Sequence, residues 1–173
     1  GIDVLGLQVG DLGGPQSARV HGLEDRPVAQ AEWRGRIGSP KECFHLGPVG
    51  AAHVMKCLNN LITAMTFAAT IEGMLVGKRF GLDSQAMVEV LNVSTGQSWL
   101  TQNHVGQRIV SGSFDDPFKM VLMNKDIAIA MELAQREGVP MPMSALGQQL
   151  WKAAGVPLPA DASISEFARY LEK

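Results

Sequence analysis

Residues 47–60 read GPVGAAHVMKCLNN, and this stretch decides the fold because it opens one long helix. The turn at 47–50 marks the helix entrance, and Gly81 is the expected stop of a helix that ends near Arg79. Some 30 residues at about 1.5 Å each reach roughly 45 Å, enough to cross a domain. Polar residues recur along it at three- and four-residue steps, namely Lys56, Asn59, Asn60, Thr63, Thr66 and Thr70. One polar stripe on an apolar helix predicts that this face meets a site or a partner.

The helical pattern continues to the end of the chain and predicts about six helices. Asp83 is the expected cap of the second helix, which ends near Leu91 before a break at 94–96. The third helix is predicted from Gln97 to about Ile109. The fourth runs from a cap at Asp116-Pro117 to Glu137, with Gly138 as its stop. The fifth runs from Pro142 to near Gly155, and the last follows a capping box at Ser163–Glu166. The predicted fold class is mainly α, a multi-helical domain built on one long central helix.

Composition narrows the class of protein. The chain of 173 residues is 46% hydrophobic and 18% charged, with a formal net charge of −2. These values are ordinary for a globular domain and give no reason to expect nucleic acid as a partner. The most apolar region, 58–76, is interrupted by polar residues, which predicts a core helix and not a membrane span. Two cysteines, Cys43 and Cys57, are too few for a disulfide framework, so the expected compartment is the cytoplasm.

Lys56 and Asn60 are the candidate chemical groups on residue type alone. Glycines at a helix entrance allow another group to approach closely, and the first-turn N–H groups favour anions. The apolar neighbours of Lys56 would desolvate its amine, which disfavours the charged form and suits the residue to proton transfer. Asn60, one turn later, could hold a substrate oxygen. The alternative is a lysine that extends from a helix end to solvent, with Asn60 in a helix–helix contact.

Other catalytic and metal-binding patterns are missing from the sequence. It has no Gly-x-Ser-x-Gly elbow, no Walker-type loop and no Gly-x-Gly-x-x-Gly after a strand. Cys43 and His45 have the spacing of metal ligands, but no second pair accompanies them. No metal site is therefore predicted, and both cysteines are expected to be small buried hydrophobes.

The stretch 47–60 closely resembles the catalytic motif of the β-hydroxyacid dehydrogenases, the family of 3-hydroxyisobutyrate dehydrogenase and tartronate semialdehyde reductase. That motif reads roughly Gly-x-x-Gly-x-Gly-x-x-x-Lys-x-x-Asn-Asn. Its lysine falls on Lys56 and its essential asparagine on Asn60, while Ala52 replaces its third glycine. The resemblance implies that Lys56 and Asn60 are catalytic, that Asn60 also binds substrate, and that the fold is that of the 6-phosphogluconate dehydrogenase C-terminal domain.

Three later segments resemble the family in the same order along the chain. They are the loop at Asn92–Trp99, the signature Phe118-x-x-x-Leu122-Met123-x-Lys125-Asp126, and Asp161-Ala162-Ser163. In the family the lysine of that signature reaches toward the cofactor and its phenylalanine lies near the nicotinamide. The resemblance therefore implies that Lys125 and Phe118 bind NAD or NADP.

Residue type alone indicates plainer roles for the same residues. Lys125 would be a solvated helix residue, and Asp126, adjacent in sequence, would not face it. Phe118 would belong to the core. Trp99 and Trp151 would be packing anchors.

The first 43 residues differ from the rest and are predicted to be an irregular remnant of an N-terminal nucleotide-binding domain, followed by a helical domain over residues 44–173. Gly13 and Gly14 match the family segment that holds the substrate carboxylate, but Leu12 stands where that segment has a serine. The pattern is unrecognisable between residues 19 and 37. A shifted reading frame across roughly residues 3–37 would explain this, as would extreme divergence, and resequencing the coding DNA separates the two. Because Gly1 is not a Met, the chain is expected to be part of a longer protein.

The resemblance leaves two functions open. In the first, the chain is the C-terminal substrate-binding, catalytic and dimerisation domain of an NAD(P)-dependent dehydrogenase that oxidises a small 3-hydroxy acid, with Lys56 as proton shuttle. In the second, it is an inactive helical association domain without a dinucleotide-binding module. Both imply a homodimer or larger homo-oligomer formed through the long helix.

Overall fold

The computed structural model describes residues 46–47 and 49–173, and this part of the chain contains helices and no strands. The helices are α1 (Ala51–Phe80), α2 (Ser84–Asn92), a π-helix (Thr101–Val110), α3 (Met120–Arg136), α4 (Pro142–Gly155) and α5 (Glu166–Glu172). The predicted mainly α fold class, built on one long helix, is confirmed. Residues 54–173 form one compact unit. The predicted boundary after residue 43 and the predicted substrate-binding glycines, Gly13 and Gly14, lie outside the described residues.

Local chemistry accounts for both ends of α1. Gly47 and Gly50 precede the helix with φ of +115° and +98°, in the left-handed region that favours glycine. At the other end Gly81 has φ of +103°, and its N–H donates to the carbonyl of Lys78 over 3.1 Å. This αL turn ends α1 at Phe80, one residue beyond the predicted end.

The core is built on one face of α1. Its buried residues recur at helical spacing, at Cys57, Leu61, Ala64, Phe67, Ala68, Ile71 and Met74. Trp151 of α4 stacks on Phe167 of α5 with ring centroids 4.1 Å apart, and its indole N–H donates to the carbonyl of Ala64 over 3.1 Å. Trp151 is therefore the predicted packing anchor. Trp99 is 68% exposed, so the same prediction for Trp99 is wrong.

Length and composition alone would allow α1 to cross a membrane. A single helix of this kind is weak evidence for a membrane span, because the core helix of a soluble domain meets the same criteria. In the compact unit the buried face of α1 packs against α4 and α5 through the aromatic residues at the centre of the core. This packing is that of a core helix.

Two helix boundaries and one helix type differ from prediction because long-range contacts override local signals. The helix expected from Gln97 is a π-helix that begins at Thr101 and places His104 and Val105 in the core. Asp116 does not cap α3. Instead Lys119 forms an antiparallel bridge with Ser163, which holds the preceding segment extended and delays the helix to Met120.

The capping box predicted at the last helix is also wrong. The Ser163 hydroxyl donates to the carbonyl of Phe114 over 3.0 Å, since Ser163 lies in the bridge with Lys119. Ser165 precedes α5 but makes no capping hydrogen bond with its side chain. By contrast, the Asp83 cap is confirmed, because its Oδ1 accepts from the N–H of Ala86 over 2.8 Å.

Candidate active site

Asp126 of α3 is the centre of a polar cluster that joins α3 to α1. Its Oδ2 accepts a hydrogen bond from Asn60 Nδ2 over 2.7 Å and lies 3.0 Å from Lys56 Nζ. Its Oδ1 lies 3.2 Å from Lys125 Nζ and 3.9 Å from Cys57 Sγ. We call Lys56, Asn60, Lys125 and Asp126 the Asp126 cluster. It brings together both predicted catalytic residues and one of the two predicted cofactor-binding residues.

The position of Asp126 on α3 explains why this carboxylate faces α1. The buried residues of α3 include Met123, Ile127 and Ala130, and Asp126 falls on the same face at helical spacing. Its side chain is 0% exposed. A buried carboxylate requires hydrogen-bonded or charged partners, and here Lys56 and Asn60, one turn apart on α1, supply them.

The partners of Asp126 keep it ionised. Burial alone would raise the pKa of its carboxyl, but hydrogen bonds from Lys56, Asn60 and Lys125 offset burial and hold the pKa below its usual range. Burial raises the pKa of the neighbouring Cys57 thiol, and the negative charge of Asp126 raises it further. Cys57 is thus a buried neutral thiol beside the cluster, in agreement with its predicted role.

Lys56 and Lys125 approach the carboxylate from different depths. The Lys56 side chain is 13% exposed, whereas that of Lys125 is 51% exposed. The Lys56 amine therefore has the carboxylate of Asp126 within 3.0 Å as well as the apolar neighbours expected from the sequence. The prediction that Asp126 does not face Lys125 is wrong, because a flexible lysine side chain can fold back to the next residue on the same helix.

Phe118 lies outside the Asp126 cluster, in the segment that leads into α3. Its N–H donates to Asp116 Oδ1 over 2.6 Å, and its carbonyl accepts from the N–H of Ile164 over 3.0 Å. The side chain is partly buried and packs against the core. This placement fits the core role, and the cofactor-binding role of Phe118 stays a prediction.

The far end of the predicted polar stripe on α1 does not extend this site. The Thr63 hydroxyl donates to the carbonyl of Asn59 over 2.9 Å, and that of Thr70 to the carbonyl of Thr66 over 2.7 Å. Both hydroxyls are satisfied by their own helix. At the N-terminal end of the stripe, by contrast, Lys56 and Asn60 contact Asp126 on another helix, α3.

A second buried polar group, which the sequence did not suggest, consists of His104, Asp116 and Ser165. His104 Nε2 lies 2.7 Å from Asp116 Oδ2 and 3.2 Å from the Ser165 hydroxyl. Burial acts to raise the pKa of Asp116, but hydrogen bonds from His104 and from the Phe118 N–H hold that pKa below its usual range. These residues tie the π-helix to the entrances of α3 and α5, which is a structural role.

The charges of the described residues differ between the Asp126 cluster and a cleft elsewhere in the compact unit. Two lysines face one aspartate in the cluster, and the first turn of α1 contains no acidic residue. That cleft, of about 470 Å³, is lined by four acidic residues, Asp115, Asp116, Asp161 and Glu166, and by one basic residue, Lys119. In the described part of the chain, no three His, Cys, Asp or Glu side chains are grouped to hold a metal.

The fold and the site define a class of protein: a helical domain in which a lysine and an asparagine of the long helix α1 meet an aspartate of α3. Residues 50–171 match the family model described as "NAD-binding of NADP-dependent 3-hydroxyisobutyrate dehydrogenase". The chain belongs to this family. The prediction of a β-hydroxyacid dehydrogenase relative with NAD(P) as cofactor is confirmed at the level of the family.

Individual relatives agree with the family match. The chain is 32% identical to 2-(hydroxymethyl)glutarate dehydrogenase of Eubacterium barkeri over 65% of its length and 37% of the relative's. It is 29% identical to human mitochondrial 3-hydroxyisobutyrate dehydrogenase over 87% of its length and 47% of the relative's. The chain therefore spans less than half the length of these relatives.

Solved structures show the same fold. A 3-hydroxyisobutyrate dehydrogenase of Mycobacterium tuberculosis, described with L-serine, superposes on 75% of this chain and 46% of its own, with a TM-score of 0.68 and 24% identity. One from Salmonella typhimurium superposes on 69% of this chain and 42% of its own, with a TM-score of 0.63 and 22% identity.

Proposed function

We propose that this chain is the substrate-binding and catalytic helical domain of an NAD(P)-dependent dehydrogenase that oxidises a small 3-hydroxy acid. The observation that carries the proposal is the convergence of Lys56 Nζ and Asn60 Nδ2 on one oxygen of Asp126, at 3.0 and 2.7 Å. Membership of the family supplies the reaction class, and the family resemblance supplies the roles of the two α1 residues.

In the proposed reaction the neutral form of Lys56 accepts the substrate's hydroxyl proton as a carbonyl forms on the substrate. NAD(P)+, when bound, would supply the hydride acceptor for the carbon that carries this hydroxyl group. The ammonium that forms at Lys56 is stabilised by the carboxylate of Asp126 at 3.0 Å. Asn60, fixed by its hydrogen bond to the same carboxylate, presents its amide to the substrate oxygen.

Cofactor contact is proposed for Lys125, whose side chain is half exposed while its amine rests on Asp126. Phe118 is proposed to lie near the nicotinamide on the resemblance of its signature alone. Gly13 and Gly14 are proposed to hold the substrate carboxylate on the same basis. The match to the human relative covers 87% of the chain, so it extends into the first 43 residues, which favours a family origin for that segment.

Turnover of the complete gene product tests the proposal. NAD(P)H formation is measured with 3-hydroxyisobutyrate, 2-(hydroxymethyl)glutarate, L-threonate and L-serine, each with NAD+ and with NADP+. Lys56→Met should lower kcat by at least about 100-fold, as expected for loss of a general acid–base group, with little change in cofactor affinity. Lys152→Met, at an exposed position on α4, is the matched control and should leave kcat unchanged. Full turnover in Lys56→Met would disprove the role of Lys56.

The second function, helical association without catalysis, is favoured by exposed apolar side chains on α1. Ile62, Val76 and Phe80 are 62%, 71% and 84% exposed. We propose that this face pairs with a second copy of the chain. Sedimentation of the 173-residue chain should show a dimer that Val76→Lys weakens and Val156→Lys, at a similarly exposed site outside α1, does not. Dimerisation of the isolated chain without turnover would favour this second function. Turnover by the isolated chain would exclude an inactive association domain.

A further inference from the structure

Two lysines of unequal exposure share the single carboxylate of Asp126. Lys56 Nζ lies 3.0 Å from Oδ2, and Lys125 Nζ lies 3.2 Å from Oδ1. The side chain of Asp126 is 0% exposed, so solvent screens its charge less than it would at the surface, although Lys125 itself is 51% exposed. The other described groups in contact with the carboxylate are the Asn60 amide and the Cys57 thiol, both uncharged.

The shared carboxylate sets how the two amines affect each other. Its negative charge favours the ammonium form of each lysine, while each ammonium disfavours the charge on the other. Since both contact one carboxylate, the two amines are no more than about 8 Å apart, where like charges near a protein surface shift each other's titration by on the order of one pH unit. Neutralising Lys125 removes the competing positive charge, so the negative charge of Asp126 then acts on Lys56 alone.

We propose that Asp126 is a positioning residue that couples the exposed lysine, Lys125, to the proton-transfer lysine, Lys56, so that an anionic group bound at Lys125 raises the proton affinity of Lys56. The ligand class at Lys125 is an anion, because its exposed amine adds positive charge at the rim of the cluster. This coupling deepens the proposed function and rests on it for the role of Lys56.

Physical consequences follow for both directions of the proposed reaction. An anion at Lys125 stabilises the ammonium form of Lys56, which favours the product of proton transfer and also lowers the fraction of Lys56 that is neutral beforehand. When Lys125 is free, its charge weakens the hold of Lys56 on a proton. An anion bound at the exposed lysine, Lys125, thereby changes the proton affinity of the buried lysine, Lys56, through one shared carboxylate and without movement of either helix.

The test measures the titration of Lys56 in the 173-residue chain labelled with [ε-13C]lysine. The chain has seven lysines, and Lys56→Arg assigns the resonance of interest. Lys125→Met should move the Lys56 midpoint to higher pH by on the order of one pH unit, because it removes a positive charge. Asp126→Asn should move the midpoint to lower pH. Lys125→Arg is the control because it keeps the positive charge. It should leave the Lys56 midpoint within a few tenths of a pH unit of wild type.

Opposite signs are the decisive result, because a loss of packing alone would expose Lys56 in both variants and move its midpoint in one direction. An unchanged or lowered midpoint in Lys125→Met overturns the coupling. If Asp126→Asn does not fold by circular dichroism, the comparison of Lys125→Met with Lys125→Arg decides the question alone. The titration needs neither substrate nor turnover, so failure of the coupling and failure of the proposed dehydrogenase function are separate outcomes.

Discussion

Lys56 on α1 and Asp126 on α3 form an ion pair at 3.0 Å whose two side chains are 13% and 0% exposed. The pair links the longest helix to the helix that carries the second family signature. Removing one partner of such a pair leaves the other without its counter-charge, which costs more than the pair itself contributes. The Asp126 cluster is thus a structural joint as well as a candidate site.

Asp126→Asn should destabilise the protein and change its response to acid. We expect a loss of about 2 kcal/mol in the free energy of unfolding at neutral pH, because the amide cannot balance the charge of Lys56. The folded pKa of Asp126 lies below the ordinary value of 3.8. Its stabilising effect is therefore present above 3.8 and is lost as pH falls below that value through the folded pKa. Urea unfolding at several pH values should show a shallower acid slope in Asp126→Asn, and equal slopes would contradict this.

Asp116→Asn should destabilise the protein by about 1–3 kcal/mol, because it replaces the carboxylate that pairs with buried His104. The pKa of Asp116 is lowered in the folded state, so this contribution too is lost as the pH falls below the ordinary carboxyl value. The matched control is Asp115→Asn, since Asp115 is exposed and bonds to Arg108 and Ser113 at the surface. Thermal unfolding should separate the two variants, and equal melting temperatures would remove the structural role assigned to the buried pair.

Gly73→Ala should stabilise the protein more than Gly147→Ala. A Cβ at Gly147 of α4 would overlap the thioether of Met65 on α1, so the end of this flexible side chain must move, and the loss of its packing offsets part of the gain in helix propensity. A Cβ at Gly73 meets nothing within 4 Å, so helix propensity should stabilise the protein by about 0.5–1 kcal/mol. Chemical denaturation of both variants and of Gly147→Ala with Met65→Ala is the measurement. The double variant should recover part of the loss, and additivity would rule out the overlap as its cause.

Asn60→Asp should destabilise the protein at neutral pH, because the new carboxylate would lie against Asp126 at the present 2.7 Å contact. Two carboxylates so close share a proton, so the variant should gain stability as pH falls toward the raised pKa of the pair. Asn59→Asp is the matched control, since the Asn59 amide donates to Asn60 Oδ1 and, among the described residues, Asp126 receives its amide hydrogen bond from Asn60. Unfolding of both variants between pH 5 and pH 8 should distinguish them. An equal loss of stability in Asn59→Asp would mean that added negative charge on α1, and not contact with Asp126, causes the effect.

The signals that worked in the sequence are local. The αL glycine after α1 and the Asp83 cap act within a few residues of the backbone they end or begin, and the structure confirms both. The signals that failed were equally local, but a distant segment competed with them. The cap expected at Asp116 is the clearest case, because pairing of Lys119 with Ser163 holds the chain extended there.

Asp126 was missed as a site residue although a signal for it was present. It lies among Met123, Ile127 and Ala130 on the apolar face of α3, where a charged side chain needs a partner. Periodicity could identify the need for a partner but not the partner, since Lys56 and Asn60 belong to another helix. The family resemblance brought Lys125 and Lys56 into one site, and packing supplies the carboxylate between them.

By itself the sequence determined the helical class, the length of α1 and the presence of Lys56 and Asn60 one turn apart on one face, because a helix sets the directions of side chains three and four residues apart. Tertiary structure alone decided that Asp126 lies between two lysines and that His104 meets Asp116 and Ser165. Those contacts join residues far apart in the chain. They form because burying the apolar faces of the helices also carries their polar side chains into the interior, where each must find a partner.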